Sequence, residues 1–376
     1  MYEELSASRT RRTVTATARL LRALRLDGVL LAALVAVSAF GMFVLWSAVG
    51  DNTALWVNQF ARLGLGFAVM IALARVPDHF FRMLAPAAYA AGLVLLVVVA
   101  VAGDVGKGAQ RWLDLGVIRF QPSEILKLAV PMMCAWYLYQ RPLPPSVGAV
   151  LAVLAIIVVP VLLIAEQPDL GTALLVTAAG LIVLVMAGLS WAFILAGVAV
   201  LGAAVPVLWH FMHDYQRQRV LTLLDPQSDA LGAGYHIIQS QIAIGSGGVF
   251  GKGWTNGTQA QLEFLPERST DFIFAVIGEE LGLLGLVALL VGYVFIVARG
   301  LYMATHCRDA FARLLAGSIA LTFFVYAFVN AGMVTGLLPV VGVPLPLVSY
   351  GGTSFVTLMA GFGILMSLYS SRKLVG

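Results

Sequence analysis

Charged residues are scarce in this chain. Of its 376 residues only 11% are charged and 60% are hydrophobic, whereas about 25% of the residues in a soluble domain are charged. The net charge of +4 is too small and too scattered to indicate a nucleic-acid-binding surface, so no nucleic-acid partner is expected. The composition excludes an ordinary soluble domain and predicts a protein that crosses the membrane several times.

Cysteine is almost absent as well. The two residues, Cys134 and Cys307, fall in a predicted membrane span and a predicted cytoplasmic loop, so a disulfide framework is excluded. The first apolar run is too long for a cleavable signal peptide and should remain in the mature chain.

A nucleotide-binding phosphate loop is also missing. The glycine-rich piece from Gly245 to Trp254 has Ser246 where such a loop needs glycine, and Gly253 where it needs serine or threonine. We therefore expect this piece to be flexible backbone.

Long apolar runs are what the sequence does contain. A helix needs about 20 mainly apolar residues to cross the hydrocarbon core, and ten stretches meet this need, which predicts an all-α polytopic membrane protein with ten transmembrane helices. The spans are predicted at residues 28–49, 57–75, 83–102, 122–139, 147–165, 170–187, 190–211, 271–298, 311–335 and 350–369.

The distribution of lysine and arginine predicts the topology. Basic residues collect in the N-terminal segment and in the loops on the same side, which places both termini in the cytoplasm. Residues 1–27 form a cytoplasmic segment, residues 28–370 a single ten-helix domain and residues 371–376 a cytoplasmic tail. Two long outer loops are expected, at 103–121 and at 212–270 between the seventh and eighth helices, the second with a surface helix at Tyr235 to Ile244.

Charges inside the predicted spans lie mostly towards the outer side. Arg62 lies in the second span, and the fourth and eighth spans carry five further charges, namely Glu124, Lys127, Asp271, Glu279 and Glu280. With about 1.5 Å of rise per residue, Glu279 is expected about 12 Å inward from Asp271. Because buried charges need a partner, water or a function, this pattern predicts a polar cavity that is open to the outside.

Each candidate group also has a structural interpretation. Glu124 and Lys127 share a helix face, so they either form only an ion pair or also shape a substrate groove. Asp271 is either a helix N-cap or first-turn acid, favoured by the dipole at a helix start, or a functional carboxylate beside Glu267 and Arg268.

The outer loops add two further groups with open interpretations. Lys107, Arg111 and Trp112 form either an anion-binding patch with an aromatic platform or ordinary solvated loop charge. His210, His213 and Asp214 have the spacing of a metal pair but lack a third well-spaced ligand, so no metal site is assigned.

Seven motifs together resemble the shape, elongation, division and sporulation (SEDS) family, and within it the elongation branch. The resemblance covers nearly the whole chain, from Leu26 to Lys373. The motifs are GAQRWLDLG from Gly108, FQPSEILKLA from Phe120, DLGTALL from Asp169, DYQRQRV from Asp214, GAGYHIIQSQIAIGSGG from Gly232, FLPERSTDFIFAVIGEELG from Phe264 and VGVPLPLVSYGG from Val341.

The resemblance implies a peptidoglycan glycosyltransferase that polymerises lipid II on the outer side of the bacterial cytoplasmic membrane. It implies a class B penicillin-binding protein as partner, besides membrane lipids, and it places the family's catalytic carboxylate on Asp271. The family's loop tryptophan falls on Trp112, and its Glu/Lys pair on Glu124 and Lys127.

The expected chemistry is an inverting transfer that yields a β-1,4 glycan, with Asp271 as the general base. Five basic residues could stabilise the leaving pyrophosphate, and a divalent cation (Mg or Mn) could share this work; no organic cofactor is expected. These residues are Lys107, Arg111, Arg217, Arg219 and Arg268. A lipid II flippase and a non-catalytic scaffold for the penicillin-binding protein remain as alternatives.

Overall fold

The computed structural model describes most of the chain. The described residues are 24–50, 52–106, 109–114, 119–212, 214–229, 232–262, 264–265 and 267–371. The predicted cytoplasmic segment 1–27 and tail 371–376 therefore lie largely outside the described residues.

Helices make up nearly all of the regular structure. They are α1 (Gly28–Val49), α2 (Thr53–Ala74), α3 (Asp78–Ala102), α4 (Pro122–Tyr139), α5 (Val147–Glu166), α6 (Leu170–Met186), α7 (Trp191–Phe211), α8 (Asp214–Leu224), α9 (Ala233–Gly247), α10 (Thr258–Gln261), α11 (Ile273–Thr305), α12 (Ala310–Thr335) and α13 (Thr353–Ser370). A single 3-10 turn, Pro226–Asp229, follows α8. In the first long loop three short antiparallel strands, β1 (Asp104–Gly106), β2 (Ala109–Asp114) and β3 (Arg119–Phe120), pair in the order β1-β2-β3.

Within the described residues, seven helices are long and apolar enough to cross a membrane: α1, α2, α3, α5, α11, α12 and α13. Every predicted span contains a helix, but some boundaries differ. The second and third helices begin at Thr53 and Asp78, earlier than the predicted 57 and 83. Asn52 explains the first shift, because its side chain accepts a hydrogen bond from the amide of Leu55 and so caps the helix.

The bundle is built around α12. Most side chains on α12 and α13 are buried, and so are those on the side of α4 that faces them. Much of α7 is exposed instead, with Trp191, Leu195 and Val198 all more than 60% accessible. Exposed apolar residues of this kind are expected where a helix faces lipid.

The eighth predicted span, α11, is broken. Gly282 has φ 66°, a left-handed conformation within a helix, and it divides the 33 residues of α11 into two parts. A break removes backbone hydrogen bonds that must be satisfied elsewhere. The turn after α9 satisfies them: the amides of Leu283 and Leu284 donate to the carbonyls of Gly248 and Val249, and the amides of Lys252 and Gly253 donate to the carbonyls of Glu279 and Glu280.

These hydrogen bonds contradict the prediction that the glycine-rich piece is flexible. Its glycines allow close backbone approach: a Cβ on Gly251, at φ 78°, would lie 2.1 Å from the carbonyl oxygen of Glu280.

The predicted surface helix is present as α9, but it packs against other helices of the protein rather than lying only on the bilayer surface. Ser240 is fully buried, and its hydroxyl donates to the carbonyl of Val334 at 2.7 Å.

Two glycines of α9 offer a matched test of this packing. A Cβ on Gly247 would lie 2.0 Å from the carbonyl oxygen of Gly278, whereas a Cβ on Gly245 would meet nothing within 4 Å. We expect Gly247→Ala to destabilise the protein by about 1 to 3 kcal/mol through overpacking. Gly245→Ala should be neutral or stabilising, because alanine favours a helix by about 1 kcal/mol. Thermal unfolding of the two purified variants checks this, and equal melting temperatures would contradict the packing.

The acidic residues at the start of α11 lie near one end of the bundle. Glu280 accepts a hydrogen bond from the hydroxyl of Ser47, two residues before the end of α1. Asp271 lies against Asn330, five residues before the end of α12. Both carboxylates therefore lie at the same end of the bundle, which we name the loop end because the described residues of the second long loop, 212–270, lie there; this loop is called the large loop below.

Candidate functional site

The segment that carries Asp271 is fixed by three hydrogen bonds. The side-chain amide of Asn330, on α12, donates to the carbonyl of Asp271 at 2.8 Å. The hydroxyl of Ser349 donates to the carbonyl of Thr270, and the amide of Tyr350 donates to the carbonyl of Ser269 at 2.8 Å. Residues 269–271 are thus held between α12 and the loop before α13.

That loop, residues 341–352, enters the bundle from the loop end. Its apolar residues Val343, Leu345 and Leu347 are almost fully buried. The hydroxyl of Tyr293, in the middle of α11, donates to the carbonyl of Pro346 at 2.6 Å. Non-helical backbone at this depth needs such partners, because the hydrocarbon core offers none.

The Asp271 side chain is partly exposed at this junction. Gly342, at φ 73°, lies beside it: a Cβ there would be 3.5 Å from the Asp271 carboxylate oxygen. The N-cap residue of α11 is Phe272, and the helix has no side-chain cap hydrogen bond. The alternative in which Asp271 acts as a helix N-cap therefore finds no support in the structure.

His236, on α9, was not singled out by the sequence. Its ring stacks on Phe272 with the centroids 5.5 Å apart. Its Nδ1 atom is buried and has no hydrogen-bond partner among the described residues. Burial lowers the pKa of His236, although the charges of Glu267 and Asp229 oppose that shift. The His236 imidazole thus packs beside the Asp271 segment.

The two glutamates of α11 form hydrogen bonds and an ion pair within the protein. Glu279 is 0% exposed and forms an ion pair with Lys252 at 2.7 Å. It also accepts hydrogen bonds from the amides of Gln259 and Ala260 at 2.9 and 3.2 Å. Glu280 accepts from Ser47 at 2.6 Å. These carboxylates attach the large loop to the helices and do not line an open cavity.

Glu124 and Lys127 form the predicted ion pair. Lys127 Nζ lies 2.6 Å from Glu124 Oε1, and the two side chains are 7% and 6% exposed. Lys127 also lies over the ring of Tyr326, 5.4 Å from its centroid. The other carboxylate oxygen of Glu124 is buried with no hydrogen-bond partner among the described residues, so the pair is not fully satisfied by protein groups.

Arg111 is bound by protein groups. Its guanidinium donates to the carbonyls of Gln167, at 3.0 Å, and Pro168, and lies 3.8 Å from the Asp169 carboxylate. Asp169 in turn caps α6 by accepting from the amide of Thr172. Arg111 thus connects the first long loop to the start of α6. The expected anion-binding patch is not assembled by the described residues: Trp112 lies next to Arg111 on β2, and Lys107 lies outside them.

The remaining predicted site residues have varied surroundings. Arg217 donates to the carbonyls of Trp209 and His210 at 2.9 and 2.6 Å, so it caps the C-terminal end of α7. Arg268 donates to the carbonyl of Ala260. Glu267 is exposed and accepts from the hydroxyl of Thr270 at 2.9 Å. Arg219 lies on α8, partly buried.

Metal ligands do not cluster in the described part of the chain. No group of three or more histidine, cysteine, aspartate or glutamate residues there could hold an ion. His213, one member of the suggested histidine pair, lies outside the described residues. Cys134 and Cys307 are both free, as expected.

Relatives of known name and structure resemble this chain over nearly its full length. The model of the cell cycle protein family FtsW/RodA/SpoVE matches residues 21–374. Peptidoglycan glycosyltransferase MrdB of Escherichia coli strain K12 is 53% identical over 93% of this chain and 95% of its own length.

Two solved structures share the fold. A chain from a structure describing coordination of polymerization and crosslinking by a peptidoglycan synthase complex matches with a TM-score of 0.81 and 36% identity, covering 93% of this chain and 98% of that one. The rod shape determining protein RodA of Thermus thermophilus matches with a TM-score of 0.71 and 30% identity, covering 92% of this chain and 97% of that one. The chain belongs to the FtsW/RodA/SpoVE family, the SEDS family that its motifs indicate.

Proposed function

We propose that the protein is a peptidoglycan glycosyltransferase that polymerises lipid II into β-1,4 glycan strands during cell elongation. The observation that carries this proposal is the partly exposed Asp271 carboxylate on a segment fixed by three hydrogen bonds. A carboxylate on a fixed backbone segment loses little conformational freedom when it acts. The named activity of the 53% identical relative supports the same conclusion.

The proposal includes a membrane topology. Ten helices cross the bacterial cytoplasmic membrane, both termini are cytoplasmic, and the loop end faces the outside. The side chains that bind the large loop to α11, including Glu279 and Lys252, are consistent with a polar layer at that surface. The positive-inside distribution of basic residues supports the orientation.

In the proposed reaction Asp271 accepts the proton of the acceptor sugar's 4-hydroxyl. The hydroxyl oxygen then forms a bond to the anomeric carbon of the donor, and the bond from that carbon to the pyrophosphate oxygen breaks with its electron pair. A single displacement of this kind inverts the α-linked donor to a β linkage. General-base assistance contributes about 10² to 10⁴ in rate.

Other residues position the reactants in this proposal. Glu124 and Lys127 shape the wall beneath the site, and Trp112 with the basic loop residues Lys107 and Arg219 contacts the substrate. Arg111, Arg217 and Arg268 donate to protein carbonyls, so they act by holding the loops. A divalent cation stays a prediction from the resemblance, and no reaction step is assigned to it.

A class B penicillin-binding protein is the proposed partner. The structural neighbour from a complex described as coordinating polymerization and crosslinking supports this assignment. The resemblance assigns crosslinking of the new strands to that partner.

A lipid flippase is disfavoured by the positions of the acidic residues at and near the start of α11. A transporter carries polar groups near the middle of the membrane, whereas Glu279, Glu280 and Asp271 all lie at the loop end. A non-catalytic scaffold predicts that Asp271 has a structural role such as a cap, but Phe272 is the N-cap residue.

The test is polymerisation by the purified protein together with its partner. Labelled lipid II should be converted into long glycan strands, resolved by gel electrophoresis, even when the partner's transpeptidase is blocked by a β-lactam. Blocking crosslinking isolates the activity of this chain. If a correctly folded complex makes no polymer, or moves lipid II across vesicle membranes without joining it, the proposed function is wrong.

A further inference from the structure

Arg62 is a charged residue at membrane depth. It lies on α2, nine residues after Thr53, which corresponds to about 14 Å along the helix from the loop end. Of the residues one turn away on the helix, Asn58 and Leu65 are exposed while Gln59 and Gly66 are buried, and Arg62 itself is partly exposed. The guanidinium therefore borders a space outside the packed core.

Among the described residues, nothing accepts a hydrogen bond from the Arg62 guanidinium, and no carboxylate lies within ion-pair distance of it. The guanidinium lies over the ring of Tyr350, 4.4 Å from its centroid. The site arginines Arg111, Arg217 and Arg268 all donate to carbonyls. A guanidinium has five N–H donors, and a charge inside the membrane costs about 2.5 to 3.5 kcal/mol on insertion scales. The N–H groups of Arg62 thus lack hydrogen-bond acceptors among the described residues, at a depth where an unsatisfied charge raises the free energy of the protein.

The position of Arg62 connects it to the Asp271 segment. Tyr350, on which the guanidinium stacks, donates its amide to Ser269, two residues before Asp271. Gln59, one turn before Arg62, donates to the carbonyl of Ser349 at 3.2 Å and accepts from the amide of Gly351. The loop that fixes Asp271 is therefore the same loop that orients Arg62.

Gly352 lies beside the guanidinium. A Cβ on Gly352 would lie 3.5 Å from both Cζ and Nε of Arg62, which is ordinary van der Waals contact. The guanidinium thus lies next to Tyr350 and Gly352, and its N–H groups can serve a ligand.

We propose that Arg62 binds the phosphate of a lipid-linked substrate and stabilises the pyrophosphate as it leaves. The planar guanidinium fork matches two phosphate oxygens, and such bidentate pairs are strong where water is limited. A lipid-linked pyrophosphate is anchored in the membrane by its chain, which brings its charge to the level where an arginine on a transmembrane helix can reach it.

The proposed glycosyl transfer requires a positively charged group near the leaving pyrophosphate. As the bond between the anomeric carbon and the phosphate oxygen breaks, its electron pair moves onto the pyrophosphate, while Asp271 accepts the proton at the other reactant. A fixed positive charge at the leaving group lowers the energy of the transition state. This inference rests on the proposed function and extends it by assigning the leaving-group site.

Binding of undecaprenyl pyrophosphate tests the inference without requiring turnover. The full-length protein with its partner, in nanodiscs, is titrated with undecaprenyl pyrophosphate and, separately, with uncharged undecaprenol. We expect Arg62→Gln to weaken binding of the pyrophosphate about 10- to 100-fold and Arg62→Lys to weaken it less. Binding of undecaprenol should not change. Arg75→Gln, at the exposed opposite end of the same helix, is the matched control and should bind like the wild type.

A second comparison separates substrate phosphate from phospholipid phosphate. Raising the phosphatidylglycerol content of the nanodiscs should leave pyrophosphate binding unchanged. If phosphatidylglycerol displaces the pyrophosphate from the wild type but not from Arg62→Gln, the site binds phospholipid and the assignment to substrate is overturned.

The remaining outcomes are also decisive. Wild-type affinity in a folded Arg62→Gln protein that still polymerises lipid II overturns this inference and leaves the proposed function standing. A wild-type protein that makes no polymer refutes the proposed function itself. If Arg62→Gln does not fold, Arg62→Lys decides: weakened pyrophosphate binding supports the site, and wild-type binding overturns it.

Discussion

Replacing Asp271 by asparagine should abolish glycan polymerisation while the protein still folds and binds its partner. An amide has nearly the shape of the carboxylate but cannot take a proton from a sugar hydroxyl. The loss should reach at least about 10² to 10⁴ in rate, the range attributed to general-base catalysis. The hydrogen bonds that hold this segment involve backbone carbonyls, so they do not depend on the side chain that changes.

The measurement is the rate of strand formation from labelled lipid II, with co-purification of the partner as the check on folding. Asp225→Asn is a suitable control, because Asp225 is an exposed acid in the same large loop and should be replaceable without loss of activity. A folded Asp271→Asn complex that polymerises at more than a tenth of the wild-type rate would remove Asp271 from the role of base.

The second large effect is expected at the buried ion pair. Lys127→Met leaves the Glu124 carboxylate buried without its cation, and breaking a buried pair in this way costs about 3 to 5 kcal/mol. Both side chains are less than 10% exposed, so water cannot easily replace the lost partner. The melting temperature of the purified protein should fall by several degrees, and activity should fall with the folded fraction.

The double variant Glu124→Leu/Lys127→Met separates stability from function. Replacing both charges by apolar groups is often neutral or stabilising, so the double variant should recover the melting temperature lost in Lys127→Met. If it recovers stability but not polymerisation, the pair also shapes the substrate groove. A single Lys127→Met variant as stable as the wild type would contradict the buried pair.

Apolar length and charge spacing predicted much of this fold from the sequence. Helices follow apolar runs, and the pair at Glu124 and Lys127 follows from their separation by one helical turn. The position of Asp271 at a helix entrance was also predicted, although its N-cap alternative was not supported once Phe272 proved to be the cap residue.

The break in α11 could not be predicted in the same way. Gly282 lies in an apolar run in which several glycines occur, and sequence does not distinguish a glycine that packs from one with φ 66°. The break depends on a distant segment, residues 248–253, whose backbone supplies the missing hydrogen bonds. Only the tertiary structure brings these two parts together, which is why the sequence did not predict the break.

The roles of the arginines also depend on tertiary contacts. Composition shows which residues carry charge but not which charges already have acceptors. Arg111 appeared suited to anion binding, yet it donates to the carbonyls of the turn before α6. Arg62 appeared only as one charge in a span, and the absence of described acceptors around it becomes visible only in the structure.

An experimental structure of the Asp271→Asn protein with lipid II bound tests the central claim most directly. The account predicts an acceptor hydroxyl within about 2.6 to 3.2 Å of the side chain at position 271, the distance required for proton transfer. The anomeric carbon of the donor should lie next to that hydroxyl. Sugars bound at another surface, with the side chain at position 271 facing only protein or lipid, would contradict the account.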